Sequence, residues 1–217
     1  MNKSHLYDKV SKIHQQVNFI IIKQADHHPY GTSIPLILAQ QEIKNEEAFL
    51  YLTGDDLVFF NDAKRSFLQE LINEYQQSKA EAAISAVLVP DQLISMYGII
   101  SHRKEKLYNF LEKMVEKPSR EVAPTNLANI SKYILTPDIL PIINKQSADN
   151  KSGEYFITDA IEQLAQTKNV LVHQTTGKYL NAGDPVNWLK ANLTVAGANP
   201  AIKKELLEFI EEEWGES

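Results

Sequence analysis

Two adjacent carboxylates, Asp55 and Asp56, follow directly on the apolar run Phe49–Leu52 and the break Thr53-Gly54. Short apolar runs of this kind read as buried parallel strands. Ligands of open α/β sheets sit outside the carboxyl ends of the strands. A pair of acids at a strand tip suits a hard divalent cation shared with a phosphate. The same pair also reads as a turn cap at Asp56 beside a solvated Asp55, and the residues alone leave both readings open. A second charged pair, Glu116-Lys117, stands before Pro118 at the end of another strand-like run, where a solvated strand end is the plain alternative. Gly31-Thr32-Ser33 enters a helix whose second residue is Pro35, leaving backbone donors and a positive dipole end that could hold an anion. His27 and His28 point in different directions from a Pro- and Gly-marked loop and read as exposed polar residues, not as a metal site.

The composition limits what such residues can serve. The chain has 217 residues, 43% of them hydrophobic, enough for one sizeable core. A net charge of −6 with no basic block argues against a nucleic-acid surface. Any phosphate must therefore be held locally. With no cysteine there is no disulfide, thiolate metal site or cysteine nucleophile, which agrees with a cytoplasmic protein. Met1–Tyr7 contains no apolar signal-peptide core, and no apolar run reaches the length of a membrane span. There are no internal repeats.

The elements that must position these residues read in order. After a short polar helix over Leu6–Gln16, Val17–Lys23 is β-branched and nearly continuous, a strand buried on both faces. A helix over Ile34–Gln41 leads to the strand before Asp55. Asp62 caps a helix over Ala63–Ser78, and Ala82–Val89 is a further buried strand. This β-α-β-α-β order predicts an α/β fold with a mixed, mainly parallel sheet flanked by helices. Met96–Ile100 and Leu107–Val115 follow as a hairpin joined by the polar turn Ser101–Lys106. Asn126–Leu135 is a strand, and Thr136-Pro137 opens the next helix as N-cap and first-turn proline. A helix runs through Gln166, a strand through Asn169–Gln174, and a loop through Thr175–Gly183. Two helices close the chain from Asp184 onwards.

Eight of these segments recur in a familiar order. They are Phe19-Ile-Ile-Ile-Lys-Gln24, Pro29-Tyr-Gly-Thr32, Leu52-Thr-Gly-Asp-Asp-Leu-Val58, Tyr97-Gly-Ile-Ile100, Val115-Glu-Lys-Pro118, Ala123-Pro-Thr-Asn-Leu-Ala128, Gly153-Glu-Tyr-Phe-Ile-Thr-Asp-Ala-Ile161 and Gly177-Lys-Tyr-Leu-Asn-Ala-Gly183. Over about residues 17–191 the chain resembles the sugar-phosphate nucleotidyltransferases, most closely the bacterial-type UTP–glucose-1-phosphate uridylyltransferases. That resemblance implies a Rossmann-like, GT-A-like fold, Mg²⁺ as cofactor, and UTP and glucose 1-phosphate as substrates. It implies one domain: 1–92 the remainder of the nucleotide-binding half, 93–183 the sugar-binding half, 184–217 the C-terminal helices. It puts Gln24 and Gly31 at the uracil, and Gly98, Glu116 and Asn126 at the sugar. Asp55 and Lys117 become the catalytic residues, on the magnesium and the sugar phosphate respectively. Asn181 stands where the family usually has a second metal-binding aspartate.

Nothing in the chain matches the family's glycine-rich loop with arginine and lysine, which grips the triphosphate. The resemblance therefore implies an N-terminally truncated fold that is nearly inactive alone, with an apolar sheet edge inviting homo-oligomerisation. The alternative is a catalytically inactive remnant acting as a sugar-phosphate-binding or assembly module.

Overall fold

The computed structural model describes residues 11–62, 64–149 and 152–215. Among the described residues the eight strands are β1 (Phe49–Leu52), β2 (Asp56–Phe59), β3 (Ala82–Leu88), β4 (Gly98–Glu105), β5 (Tyr108–Glu116), β6 (Leu127–Leu135), β7 (Val170–Gln174) and β8 (Lys178–Asn181). Six of them form one sheet in the order β1-β6-β3-β7-β5-β4, and β2 and β8 form a separate antiparallel ribbon. The large sheet is mixed. β1, β3, β4 and β7 run one way and β5 and β6 the other, so that β3 and β7 are its one parallel pair of neighbours among the described residues.

The helices are α1 (Ile34–Leu38), α2 (Gln40–Ile43), α3 (Phe67–Ser78), α4 (Leu140–Ile143), α5 (Ile157–Ala165), α6 (Pro185–Gly197) and α7 (Pro200–Trp214). They cover both faces of the sheet because successive strand residues point to opposite sides. Ala82, Ile84, Val170 and Val172 pack with Leu140, Ile143, Ile157 and Ile161 of α4 and α5. The residues between them, Ala83 and Leu171, pack with Phe67 and Leu71 of α3. The sheet is thus the middle of a helix–sheet–helix sandwich, and strands from both halves of the chain share it. Among the described residues no helix is long and apolar enough to cross a membrane.

Several expectations change. Val17–Lys23 is not a buried strand. It has no strand structure, and Ile21 is 93% exposed, because no strand of the described chain borders it to complete a ladder or cover its side chains. β1 is an antiparallel edge strand with Leu50 and Leu52 exposed, not a strand buried within a parallel sheet. The hairpin turn is shorter than the polar run suggested: Ser101–Glu105 extend β4, and Lys106 turns the chain with φ 56°. Ser66, whose hydroxyl accepts from Gln69 N–H, caps α3 in place of Asp62. Thr136 makes no side-chain cap, and Pro137–Ile139 is a 3₁₀ turn leading into α4. The expected helix over Ile34–Gln41 breaks at Ala39 into α1 and α2. Ala63 and the stretch Met1–Val10, with the start of the first expected helix, lie outside the described residues; Ile13–Gln15 is a single 3₁₀ turn. Within the expected loop Thr175–Gly183, Lys178–Asn181 forms β8, and that strand matters most for the site.

Candidate active site

β8 pairs with β2 in a register that sets Asn181 opposite Asp56. Asp56 is buried, 5% exposed, and its carboxylate is held by three donors. Thr53 Oγ1 donates to Oδ2 at 3.2 Å. Asn181 Nδ2 donates to Oδ1 at 3.0 Å, and the Tyr179 hydroxyl donates to the same oxygen. A buried ion needs such partners. The Tyr179 hydroxyl is pushed well above the ordinary tyrosine range, first by burial and then by the neighbouring Asp56 charge. Asp55, one residue earlier, stays exposed. Its backbone carbonyl accepts from Ala182 N–H at 2.7 Å, and its Oδ2 lies 3.4 Å from Asn181 Nδ2. Lys132 of β6 is buried, and its ammonium donates to the Thr53 carbonyl beneath the pair. Burial lowers the Lys132 pKa, and the charges of Asp56 and Asp55 pull it back up.

The second charged pair sits at the end of β5. Gly98 of β4 faces Glu116 across the ladder. A Cβ on Gly98 would stand 3.1 Å from Glu116 Oε2 and 3.2 Å from Thr158 Cγ2, so glycine leaves the Glu116 carboxylate its space. Glu116 is half-buried, which raises its pKa, while a 3.0 Å hydrogen bond from the Thr158 hydroxyl and the charge of Lys117 act in the opposite direction. Lys117 holds a left-handed backbone with φ 43°, fixed by donation of its N–H to the Tyr97 carbonyl at 3.0 Å. Its Nζ lies 3.9 Å from Glu116 Oε1 and 5.4 Å from the centre of the Phe156 ring.

The two pairs line one cavity of about 280 Å³, together with Gly98 and Asn181. One wall is a clamp between two loops. Ser33 N–H donates to Tyr155 O at 2.9 Å, Tyr155 N–H to Tyr30 O at 3.0 Å, and Ile157 N–H to Thr32 Oγ1 at 2.9 Å. Gly31 sits at φ 134° inside this clamp, and a Cβ there would fall 2.3 Å from Tyr155 N. The Ser33 N–H is thus engaged by the protein itself.

Six of the residues singled out in the sequence therefore converge: Asp55, Asp56, Gly98, Glu116, Lys117 and Asn181. Three do not line the cavity. Gln24 Nε2 donates to Pro29 O, Gly31 abuts the Tyr155 backbone, and Asn126 Nδ2 donates to Val89 O. The lining residues Tyr97, Asn129, Thr158 and Tyr179 escaped the sequence reading. For Tyr179 the available signal was its position two before Asn181, which puts both on one face of a strand.

Among the described residues no three His, Cys, Asp or Glu side chains gather as a metal site. The donor set suits a divalent cation only in a limited way. Asp56 is occupied by its three hydrogen-bond donors. Asn181 turns its amide nitrogen to the acids while its Oδ1 accepts from Gly183 N–H at 2.9 Å. Asp55 is left as the carboxylate available to a cation that brings its own phosphate oxygens, a coordination Mg²⁺ commonly takes.

The model of one family, Nucleotidyl transferase, matches residues 2–197. The chain belongs to the nucleotidyl transferase family. Within it, the chain is 33% identical over 198 residues to UTP–glucose-1-phosphate uridylyltransferase 2 of Streptococcus pyogenes serotype M3, covering 89% of this chain and 64% of that protein. It is 34% identical over 187 residues to UTP–glucose-1-phosphate uridylyltransferase of Streptococcus pneumoniae serotype 4, covering 84% of this chain and 61% of that one. The chain thus spans less than two thirds of the length of these relatives. Among solved structures of the family it superposes on a UDP-glucose pyrophosphorylase complexed with UDP-glucose, with a TM-score of 0.80 and 29% identity over 94% of this chain and 73% of that one. A UTP-bound UDP-glucose pyrophosphorylase of Acinetobacter baumannii gives a TM-score of 0.75 at 26% identity, covering 97% of this chain and 73% of that one.

Proposed function

We propose that this chain carries the sugar-phosphate side of a uridylyl-transfer site. In the reaction a phosphate oxygen of glucose 1-phosphate attacks the α-phosphorus of UTP. The bond from that phosphorus to the bridging oxygen breaks, and pyrophosphate leaves as UDP-glucose forms. The observation that carries this reading is the shared cavity, with Glu116 and Lys117 at one ladder end and Asp55 at another.

No protein nucleophile is required, so the work is positioning and charge neutralisation. Glu116 accepts hydrogen bonds from sugar hydroxyls. The Lys117 ammonium pairs with the sugar phosphate as a compact cation. Asp55 would hold Mg²⁺, which supplies neutralisation of the phosphate charge when bound. Tyr179, Thr53 and Asn181 hold the Asp56 carboxylate in place beside it, and Tyr97 and Phe156 bound the pocket with apolar surface.

The direct test is calorimetric titration of the purified chain with glucose 1-phosphate, followed by pyrophosphate release in the presence of UTP and Mg²⁺. Binding that disappears in a Glu116→Ala, Lys117→Ala double variant supports the reading. A folded chain that binds no glucose 1-phosphate overturns it. Asn181 in place of a carboxylate favours a second reading, a sugar-phosphate-binding module without turnover. Binding without pyrophosphate release identifies that case.

A further inference from the structure

Every residue of α7 is exposed except Leu206 and Ile210, which are half-buried, and α6 is packed beside this helix. Lys203, Leu207, Glu211 and Trp214 recur at spacings of four, four and three, so they share one helix face flanking the covered side. Leu207 is 56% and Trp214 76% exposed. Single apolar residues on a surface need no explanation. These two stand in a row with charges of opposite sign towards its ends.

The charges run against the helix that carries them. A helix favours acids in its first turn and bases in its last. α7 has no acid in its first turn and no base in its last. Lys203 and Lys204 lie towards its N-terminal end, and Glu211-Glu212-Glu213 lie at its C-terminal end. Glu208 takes up Lys204 at 3.5 Å and leaves Lys203 to the surface. The N-terminal end is more basic still, because Lys178 of β8 and Lys190 of α6 border the same shallow depression as Lys203. Lys178 Nζ donates to the Thr194 hydroxyl at 3.1 Å and Lys190 Nζ to Asn187 Oδ1 at 3.3 Å, so both are held by neutral partners. Lysines thus gather at one end of α7 and glutamates at the other. What is unfavourable within one helix becomes favourable against a second copy laid antiparallel.

The spacing fits such a copy. Lys203 and Glu211 each stand four residues from Leu207. A two-fold axis through Leu207 sets Lys203 against the partner's Glu211, and Glu211 against the partner's Lys203, with the two Leu207 side chains meeting at the centre. Trp214 lies seven residues beyond Leu207 and Pro200 seven before it. The axis therefore lays Trp214 over the first turn of the partner's α7, where its ring covers lysine stems and faces an ammonium. A parallel arrangement would set like charges together. We propose that this face of α7 is a homodimer interface, two copies pairing antiparallel through Leu207 and Trp214 with Lys203–Glu211 contacts on either side of the axis. Such a contact is isologous, one patch complementary to itself. It is separate from the β1 edge and independent of what the cavity binds.

The test is analytical ultracentrifugation of the full 217-residue chain over about two decades of concentration. Wild type is expected to pass from monomer to dimer, and to do so less readily as salt rises. Lys203→Glu and Glu211→Lys each bring like charges together twice per dimer, and each is expected to weaken association about tenfold or more. Both changes suit the helix dipole better than the native residues do, so helix content by circular dichroism is expected to hold. The decisive sample is an equal mixture of the two variants. There positions 203 and 211 meet with opposite charges at both ends, and the mixture is expected to dimerise about as tightly as wild type. Leu207→Glu, which sets two carboxylates on the axis, is expected to abolish the dimer. A wild type that stays monomeric throughout overturns the inference. Association that neither charge variant weakens belongs to another surface, such as the β1 edge, and also overturns it, as does a mixture no more associated than its two components.

Discussion

Asn181 and Asp56 face each other across the β2–β8 ribbon, and the Asn181 amide nitrogen donates to Asp56 Oδ1 at 3.0 Å while lying 3.4 Å from Asp55 Oδ2. The amide does for the two acids what a cation would otherwise do. It offers hydrogen to both carboxylates and spends its oxygen on Gly183 N–H. Asn181→Asp removes those donors and adds a third carboxylate. The variant is expected to bind Mn²⁺ more tightly than wild type, on the order of tenfold, since ligand charge sets affinity at hard-cation sites. In chelator it is expected to melt at a lower temperature than wild type, because clustered like charges lose their neutral bridge. Calorimetric Mn²⁺ titration and melting in EDTA check both. Equal Mn²⁺ affinity in the two proteins would rule out the bridging role.

The acid pair at the strand tip was legible in the sequence because Thr53-Gly54 breaks an apolar run immediately before it. Glu116 and Lys117 were legible as a charged pair at a strand end, and their role came from resemblance alone. What stayed hidden depended on pairing across long sequence separations. Tyr179 reaches Asp56 only because β8 pairs with β2, and a four-residue strand between Gly177 and Gly183 carries too little pattern to separate it from a loop. Gly31 carried a turn signal, but nothing local said that the Tyr155 backbone would cross it. Val17–Lys23 shows the opposite failure. Its composition is that of a central strand, yet a strand exists only where a neighbour takes up its backbone hydrogen bonds.

Glu116 makes a pH prediction. Burial raises its folded-state pKa above the ordinary 4.5, so the folded chain holds that proton more tightly than the unfolded chain does. Its contribution to stability is therefore complete below the unfolded pKa and is lost as pH rises through the folded one. Glu116→Gln removes the penalty of a buried charge. Its melting temperature relative to wild type is expected to climb as pH rises from the ordinary carboxylate range through the raised folded-state pKa and then level off. Glucose 1-phosphate affinity is expected to fall in the same variant. Melting curves across that range decide it, and a difference that shrinks with rising pH would contradict the assignment.

Gly31→Ala tests the clamp that forms one wall of the site. Its backbone sits at φ 134°, and the added Cβ would meet Tyr155 N at 2.3 Å and Tyr155 O at 2.4 Å. These are backbone atoms and cannot rotate aside as a flexible side chain does. The expected cost is about 2 kcal/mol or more of unfolding free energy, the range for strain at a special backbone conformation. Urea denaturation measures it. The hydrogen bonds from Ser33 N–H to Tyr155 O and from Tyr155 N–H to Tyr30 O are expected to lose hydrogen-exchange protection first. A variant as stable as wild type would mean that the clamp yields freely.

Lys117 separates binding from stability. Its side chain is 52% exposed, and its one ion pair among the described residues, to Glu116, is long at 3.9 Å. Removing the charge should therefore cost the fold little, within about 0.5 kcal/mol, as at most surface positions. The left-handed backbone is held by the N–H to Tyr97 O, which a side-chain change leaves in place. Lys117→Met keeps an unbranched side chain beside Phe156 and loses only the ammonium. The expected outcome is an unchanged melting temperature with glucose 1-phosphate affinity reduced about tenfold, the loss of one charge-assisted contact to phosphate. Salt gives an independent check. Wild-type affinity should fall as ionic strength rises, and the Lys117→Met slope should be flatter because one screened attraction is gone. If the variant binds glucose 1-phosphate as tightly as wild type with the same salt slope, the phosphate does not sit at Lys117.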